Sequence, residues 1–231
     1  MKRALVTGGN KGIGRATTER LLDAGFEVVI VARDFAGFEW GDDARVHCEA
    51  YDLATLPGIP ALAERIGPVD VLVNNAGIMN SLPYDDYPIA RKETLMRVNL
   101  EAPIALISAF AEGLVKRGGR VVNVTSIAGQ VGHPDIWYGV SKAGLINATK
   151  SFARALGGRG VMVNAVAPGP TETGMLATIP EARLAAARNA TYSGRFASPE
   201  EVSAVILWLA VDAPEYVNGL CVDVNNGFFP R

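Results

Sequence analysis

Short runs of consecutive apolar residues recur along the chain, and most of them are followed by a turn and a stretch with helical periodicity. The clearest run is residues 28–31, which contains no polar residue, and further runs lie near 69–73, 121–124 and 161–167. Such runs are typical of parallel strands buried on both faces. The pattern predicts an α/β fold: one Rossmann-type, doubly wound parallel sheet of six or seven strands, flanked by helices on both faces, in a single domain over residues 1–231.

Several helices have clear sequence signals. Ser198 and Glu201 form a capping box that begins a helix, and residues 137–156 are amphipathic. The long helical region 88–116 contains Pro103, where the helix can break. Residues 32–45 lack helical periodicity, so the usual helix after the second strand is expected to be reduced or missing.

Composition and charge narrow the class of protein. The chain is 49% apolar and 20% charged, with a net charge of −2 and no basic run, which argues against nucleic-acid binding. Cys48 and Cys221 form no Cys-x-x-Cys pair, and His47 and His133 are the only histidines, so neither a disulfide framework nor a metal site is expected. With no signal peptide and no apolar run of membrane-spanning length, we expect a soluble, cytoplasmic protein.

The first predicted strand ends in a glycine-rich loop that leads into a helix. Glycines at such a junction let the backbone turn tightly and approach a pyrophosphate at the helix N-terminus. The spacing is Gly8-x3-Gly12-x-Gly14, not G-x-G-x-x-G, and an ordinary glycine-rich turn remains an alternative. The candidate cofactor-binding residues of this loop are Gly8, Gly9, Asn10, Lys11, Gly12, Ile13 and Gly14.

Tyr138 and Lys142 stand one helical turn apart on one face of the predicted helix. A phenol titrates near ~10, and lowering that pKa to neutrality needs about 4 kcal/mol of preferential stabilisation of the phenolate. A neighbouring ammonium contributes to this, and a second positive group, such as an oxidised nicotinamide, would have to add the rest. A tyrosine tuned in this way can exchange a proton with a substrate oxygen. The alternative is a half-buried helical tyrosine with no chemical role.

Taken together, the motifs resemble those of the short-chain dehydrogenase/reductase family over essentially the whole chain. Within that family the chain is most similar to 3-oxoacyl-acyl-carrier-protein reductases and related carbonyl reductases. Each motif is common alone, and their order along the predicted strands is specific. The matching residues are Thr7-Gly8-x3-Gly12-Ile13-Gly14, Asn74-Asn75-Ala76-Gly77, Asn99, Ser126, Tyr138-x3-Lys142 and Pro168-Gly169-x3-Thr173.

The resemblance implies hydride transfer between a nicotinamide and a carbonyl or alcohol carbon. Tyr138 would be the acid in reduction and the base in oxidation, and Lys142 would hold the ribose and depress the pKa of the tyrosine. Ser126 would orient the substrate oxygen, and Asn99 would position a water for proton relay. Taken singly, a serine or asparagine after a strand is more often a turn or cap residue.

Further cofactor contacts follow from the same resemblance. Asp52 and Leu53 would contact the adenine, although Asp52 is nearly as well explained as a helix cap. Thr171 and Thr173 would lie near the nicotinamide amide and the phosphates, and a hydroxyl-capped turn is the alternative for them. The implied cofactor-binding residues of these later loops are Asp52, Leu53, Asn75, Ala76, Gly77, Pro168, Gly169, Thr171 and Thr173, in addition to Tyr138 and Lys142.

The end of the second strand bears on the choice of nicotinamide cofactor. NAD enzymes of this type usually place an acid there, whereas this chain has Ala32 followed by Arg33, with Lys11 nearby in the glycine loop. Two cations suit a 2′-phosphate, so we expect NADP. Asp34 argues against this expectation, because an acidic residue 20 positions after Gly14 is also typical of NAD-binding proteins.

Alternatives to the NADP-dependent carbonyl reductase are a non-catalytic dinucleotide-binding sensor and an NAD-dependent alcohol dehydrogenase of the same fold. A degenerate sensor would be expected to lose Tyr138 or Lys142, and this chain keeps both. We expect a small carbonyl or alcohol substrate, with Met79 and residues 130–137 and 175–196 bordering its pocket. Surplus apolar positions in two of the helices predict a homotetramer or dimer.

Overall fold

The computed structural model describes residues 1–38, 40 and 43–230. The strands are β1 (Arg3–Thr7), β2 (Glu27–Ala32), β3 (Val46–Ala50), β4 (Val71–Asn74), β5 (Arg120–Val124), β6 (Met162–Pro168) and β7 (Cys221–Val224). The helices are α1 (Gly12–Asp23), α2 (Ile59–Ile66), α3 (Ile89–Met96), α4 (Ala102–Arg117), α5 (Ile136–Leu156), α6 (Glu181–Asn189) and α7 (Pro199–Leu207).

The strands form one sheet in the order β3-β2-β1-β4-β5-β6-β7, and every neighbouring pair is parallel. This confirms the predicted doubly wound fold. The order reverses direction between β1 and β4, so the loops after these strands diverge and leave a crevice at the carboxyl edge of the sheet.

Successive side chains of each central strand enter opposite layers of the core. In β1, Leu5 packs into the layer that contains α2 and α4, whereas Ala4 and Val6 pack into the layer that contains α1 and α7. All three side chains are fully buried. Burial on both faces explains why the strand runs in the sequence are continuous and do not alternate.

No helix connects β2 to β3 among the described residues, as the sequence predicted. Three aromatic side chains occupy this connection: the ring centroids of Phe35 and Phe38 are 5.7 Å apart, and those of Phe38 and Trp40 are 5.6 Å apart. The guanidinium of Arg15 on α1 lies 5.7 Å from the Trp40 ring. Aromatic packing against α1 therefore replaces the missing helix.

The helix does not break at Pro103, contrary to that expectation. A single widened turn over Arg97–Glu101 joins α3 to α4, with the Ala102 N–H bonded to the Arg97 carbonyl, so Pro103 falls in the first turn of α4 where its missing N–H is tolerated. The continuous helix Ile89–Arg117 is long and apolar enough to span a membrane by length and composition alone, although residues such as Glu101 and Glu112 interrupt its apolar runs. Its buried residues pack against the sheet and α2.

Candidate active site

The loops after β1 and β4 are tied together at the carboxyl edge of the sheet. The Thr7 hydroxyl accepts hydrogen bonds from the backbone N–H groups of Asn75 and Ala76, both at 3.0 Å. The Asn75 side-chain amide donates to the carbonyls of Thr7 at 2.9 Å and Gly8 at 3.3 Å. The predicted cofactor residues of these two loops therefore lie side by side.

The glycine loop has a backbone that only glycine allows. Gly8 and Gly12 have positive φ values of 65° and 52°. A Cβ on Gly14 would lie 2.1 Å from the Gly8 carbonyl oxygen, and a Cβ on Gly12 would lie 3.2 Å from the Thr173 methyl group. Helix α1 has no acidic residue in its first turn. The loop is thus an open cradle at a helix N-terminus, which fits the pyrophosphate of a dinucleotide.

A cleft of about 400 Å³ opens beside this loop. Its lining includes Lys11, Arg15, Asp34 and Phe38, and Arg33 is not among its lining residues. The Asp34 carboxylate accepts a hydrogen bond from the N–H of Ala36 at 3.3 Å and so stabilises its own turn. The sequence did not single out Arg15, whose position after Gly14 could have indicated it.

Asp52 and Leu53, the predicted adenine contacts, each have a structural role: Asp52 stabilises a turn and Leu53 packs in the core. The Asp52 carboxylate accepts a hydrogen bond from the Ala54 N–H at 3.0 Å, in a turn that precedes α2. Leu53 is 6% exposed and belongs to the core. Their contact with the adenine stays a prediction.

Pro168 ends β6, and the two threonines of the following loop have different surroundings. The Thr171 hydroxyl donates to the Gly169 carbonyl at 3.0 Å, and Thr171 pairs with Ala197 in a short bridge. Thr171 is therefore bound into the turn, which is the alternative that the sequence left open. Thr173 faces the glycine loop at Gly12, on the side where phosphates are expected.

Lys142 is buried beside the predicted catalytic tyrosine. Its side chain is 4% exposed, and its Nζ donates a hydrogen bond to the Val124 carbonyl at 2.9 Å. The Nζ lies 5.9 Å from the Tyr138 ring centroid. Burial lowers the pKa of Lys142 to about 8.

Tyr138 is 8% exposed, and burial raises the pKa of its phenol. A hydrogen bond with the Ser126 side chain opposes this rise, and the negative charge of Asp135 adds to it. The resemblance implied the opposite direction, a pKa depressed by Lys142. The reason for the difference is physical: desolvation disfavours the phenolate and the ammonium alike, so burial favours the protonated form of the tyrosine.

Asn99 lies in the widened turn before α4 and is fully buried. Its side-chain oxygen accepts from the Ile78 N–H and its amide donates to the Ile78 carbonyl, both at 2.8 Å. A second amide contact reaches the Ser141 hydroxyl at 3.2 Å. Its side chain therefore clamps the loop after β4 next to Gly77, and its part in a proton relay stays a prediction.

Two residues of this site, His133 and Asp135, received no individual role from the sequence and were expected only as part of the segment 130–137 that borders the pocket. Asp135 is 1% exposed and caps α5 by accepting a hydrogen bond from the N–H of Tyr138 at 3.1 Å. The ring of His133 lies 5.3 Å from the Tyr138 ring, and partial burial lowers its pKa. An aspartate three residues before Tyr138 is a typical helix N-cap, which is the signal that could have found it.

Comparison with known proteins identifies the family to which this fold and these motifs belong. A family model described as enoyl-(acyl carrier protein) reductase matches residues 8–229. The chain is 36% identical to the 3-oxoacyl-[acyl-carrier-protein] reductase FabG of Aquifex aeolicus, over 99% of this chain and 97% of that one. The chain belongs to the short-chain dehydrogenase/reductase family.

Two further proteins show how varied the named members of this family are. Protein FixR of Bradyrhizobium diazoefficiens is 37% identical, over 98% of this chain and 86% of its own length. A crystal structure described as an NAD(P)-dependent gluconate 5-dehydrogenase of Beutenbergia cavernae, with NADP at low occupancy, superposes with a TM-score of 0.93. It is 33% identical and covers 98% of this chain and 96% of its own. Family membership makes the protein an oxidoreductase and does not name its substrate.

The buried lysine predicts how stability depends on pH. Its folded pKa of about 8 lies below the ordinary value of 10.5, so between these two values the unfolded chain binds more protons and stability rises with pH. Relative to Lys142→Met, the wild-type free energy of unfolding should gain about 3 kcal/mol across this window. Urea denaturation at both ends of the window measures the gain. The exposed Lys150 on the same helix serves as control: with Lys150→Met the difference should stay flat. A flat difference for Lys142→Met as well would contradict the prediction.

Proposed function

We propose that the protein is an NADP-dependent carbonyl reductase in which Tyr138 donates the proton. The observation that carries the proposal is the buried tyrosine itself, hydrogen-bonded to Ser126 and next to the buried Lys142 at the crevice of the sheet. NADPH, when bound, supplies the hydride. The carbonyl carbon receives the hydride, the carbonyl oxygen receives the Tyr138 proton, and the product is a secondary alcohol.

Each protein group has one task in this reaction. The Ser126 hydroxyl, a hydrogen-bond partner of Tyr138, hydrogen-bonds the substrate oxygen in this proposal. Burial keeps Tyr138 protonated before reaction, which suits a proton donor. The ammonium of Lys142 stabilises the phenolate that remains after transfer, because opposite charges attract strongly where water is excluded.

The proposed preference for NADP is supported by charge around the cleft beside the glycine loop. Lys11 and Arg15 line it, and Arg33 follows β2 directly. The carboxylate of Asp34 is engaged with the N–H of Ala36, so it is less available to a ribose hydroxyl. Guanidinium and ammonium groups form their strongest hydrogen bonds with phosphate oxygens.

Apolar side chains beside the tyrosine support a small, partly apolar carbonyl substrate. Met79 and Trp137 pack against the cluster that contains Tyr138. A carrier-bound substrate would favour a basic surface at the mouth of the pocket, but Arg188 and Arg195, in the segment 175–196 expected to border the pocket, are engaged within the chain. Arg188 stacks on Phe196 and pairs with Glu181, and Arg195 pairs with Glu201.

Replacing Tyr138 tests the reaction. Tyr138→Phe removes the proton donor and keeps the ring, so kcat for ketone reduction should fall by about 10²- to 10⁴-fold while the Kd for NADPH stays within about twofold. NADPH oxidation on a panel of ketones and fluorescence titration measure these quantities. The matched control is Tyr216→Phe at a fully exposed tyrosine. A wild-type protein that binds NADPH but is no more active than Tyr138→Phe would favour a non-catalytic sensor.

Replacing Arg33 tests the cofactor. Arg33→Ala should weaken NADPH binding by about tenfold or more and leave NADH binding unchanged, because a charge-assisted bond to the 2′-phosphate is lost. Titration of both reduced cofactors measures this, with Arg154→Ala on the exposed face of α5 as control. Equal or tighter binding of NADH that does not respond to Arg33→Ala would point to an NAD-dependent dehydrogenase.

We also propose a cytoplasmic homo-oligomer. Cys48 lies on edge strand β3 and Cys221 on the opposite edge strand β7, so they cannot bridge one another, which suits a reducing compartment.

An open groove of about 690 Å³ between α2 and α4 has a mostly apolar lining that includes Pro60 and Ala109. A dimer or tetramer would cover such a surface. Light scattering at micromolar concentration should give two or four times the chain mass, and a monomer would contradict it.

A further inference from the structure

We propose that Asp135 is a positioning residue of this reductase. Its buried carboxylate joins the first turn of α5, which carries Tyr138, to the rim loop, defined as residues 78–88 between β4 and α3. The proposal rests on the proposed function for its catalytic consequence, and its structural part can be measured without turnover.

Four hydrogen-bond donors converge on the Asp135 carboxylate. Oδ1 accepts from the N–H of Tyr138 and the hydroxyl of Tyr87, both at 3.1 Å. Oδ2 accepts from the N–H groups of Asn80 at 3.0 Å and Ser81 at 2.9 Å. Each oxygen therefore holds the rim loop, and one of them also holds the proton donor.

This carboxylate is 1% exposed, and within the described residues no lysine or arginine forms an ion pair with it. Burying a charge without a counter-ion is costly unless hydrogen bonds compensate, so such a residue ties its donors tightly in place. A helix cap alone needs one donor and can stay at the surface. The three additional donors from the rim loop indicate a role beyond capping.

The rim loop is strained where it meets Asp135. Ser81 has a φ of 56°, a region that residues other than glycine seldom occupy. Such conformations persist where the surroundings over-determine them, and they cluster at functional sites. Here the two consecutive N–H groups of Asn80 and Ser81 both point at Oδ2, which holds the backbone in that conformation.

Asp135 also orients His133, through its backbone. The Asp135 N–H lies 3.1 Å and its carbonyl oxygen 3.2 Å from Nδ1 of His133, so the Asp135 backbone holds the ring at its Nδ1 edge. That ring packs 5.3 Å from the Tyr138 ring. Met79, in the rim loop, packs against the same tyrosine. One residue therefore sets the relative positions of the proton donor and two of its neighbours.

The negative charge of Asp135 also affects the pKa of Tyr138. After burial, it is a further cause that raises the pKa of Tyr138, and so it favours the protonated form that reduction requires. The titratable and charged side chains around the two residues are Tyr87, Arg91, His133, Lys142 and Arg183. Removing the charge lowers the tyrosine pKa, so the alkaline limb of the kcat/KM profile for reduction should move to lower pH.

The test is Asp135→Asn, which keeps the shape, removes the charge and turns one acceptor into a donor. We expect kcat to fall by about tenfold, because small misplacements of a reacting group cost up to about 10²-fold, with the Kd for NADPH unchanged. The alkaline limb should shift to lower pH. Hydrogen exchange in the substrate-free protein should become faster at the Asn80, Ser81 and Tyr138 amides. Tyr87→Phe removes one donor and keeps the charge, so it should lower kcat less and leave the limb in place.

The matched control is Ser198→Ala, which removes the side-chain cap of α7, where the Ser198 hydroxyl accepts from the Glu201 N–H at 3.3 Å. It should lower stability and leave kcat and the pH profile unchanged. An Asp135→Asn variant that loses activity only in proportion to its unfolded fraction, with no shift of the limb, would overturn the positioning role. A wild-type protein that reduces no carbonyl would refute the proposed function. In that case hydrogen exchange alone tests whether Asp135 holds the rim loop and α5 together. Unchanged exchange at the Asn80, Ser81 and Tyr138 amides of Asp135→Asn would overturn that claim.

Discussion

Exclusion of water from Tyr138 and Lys142 is the constraint on which the site depends. In water a phenol and an ammonium titrate close together near pH 10. Burial moves the pKa values in opposite directions, up for the tyrosine and down for the lysine. In the proposed reaction the tyrosine therefore starts in its protonated form. Once it has given up its proton, the same low dielectric strengthens the attraction between phenolate and ammonium. For the proposed proton donor, burial thus favours the protonated form before transfer and strengthens the phenolate–ammonium pair afterwards.

The backbone around this pair tolerates little change, because several loops meet within van der Waals distance. A Cβ on Gly14 would strike the Gly8 carbonyl, and a Cβ on Gly77 would lie 3.3 Å from the Lys142 Nζ. Thr7 and Asn75 then close the gap between the loops with hydrogen bonds. Parallel strands bring these loops to one edge of the sheet, and small residues let them approach each other there.

The loop after β4 is held by polar contacts in place of close packing. Asn99 clamps the start of the rim loop at Ile78, and Asp135 clamps its next turn at Asn80 and Ser81. The two clamps come from different helices, the widened turn before α4 and the first turn of α5. The rim loop is thereby held to the same elements that carry the proposed catalytic residues Asn99 and Tyr138.

The sequence by itself determined the features that depend on local pattern. Apolar runs predicted the strands, the capping box at Ser198 predicted the start of α7, and the ordered motifs predicted the family. Only the tertiary structure decided how distant groups meet. Asp135 and Asn80 are 55 positions apart in the chain, and no periodicity relates them. The direction of the Tyr138 pKa was also invisible, because burial depends on the whole surrounding fold whereas spacing reports only the one neighbour, Lys142. Local interactions depend on residues that are close together in the sequence, but desolvation and long-range hydrogen bonds exist only once the chain has folded.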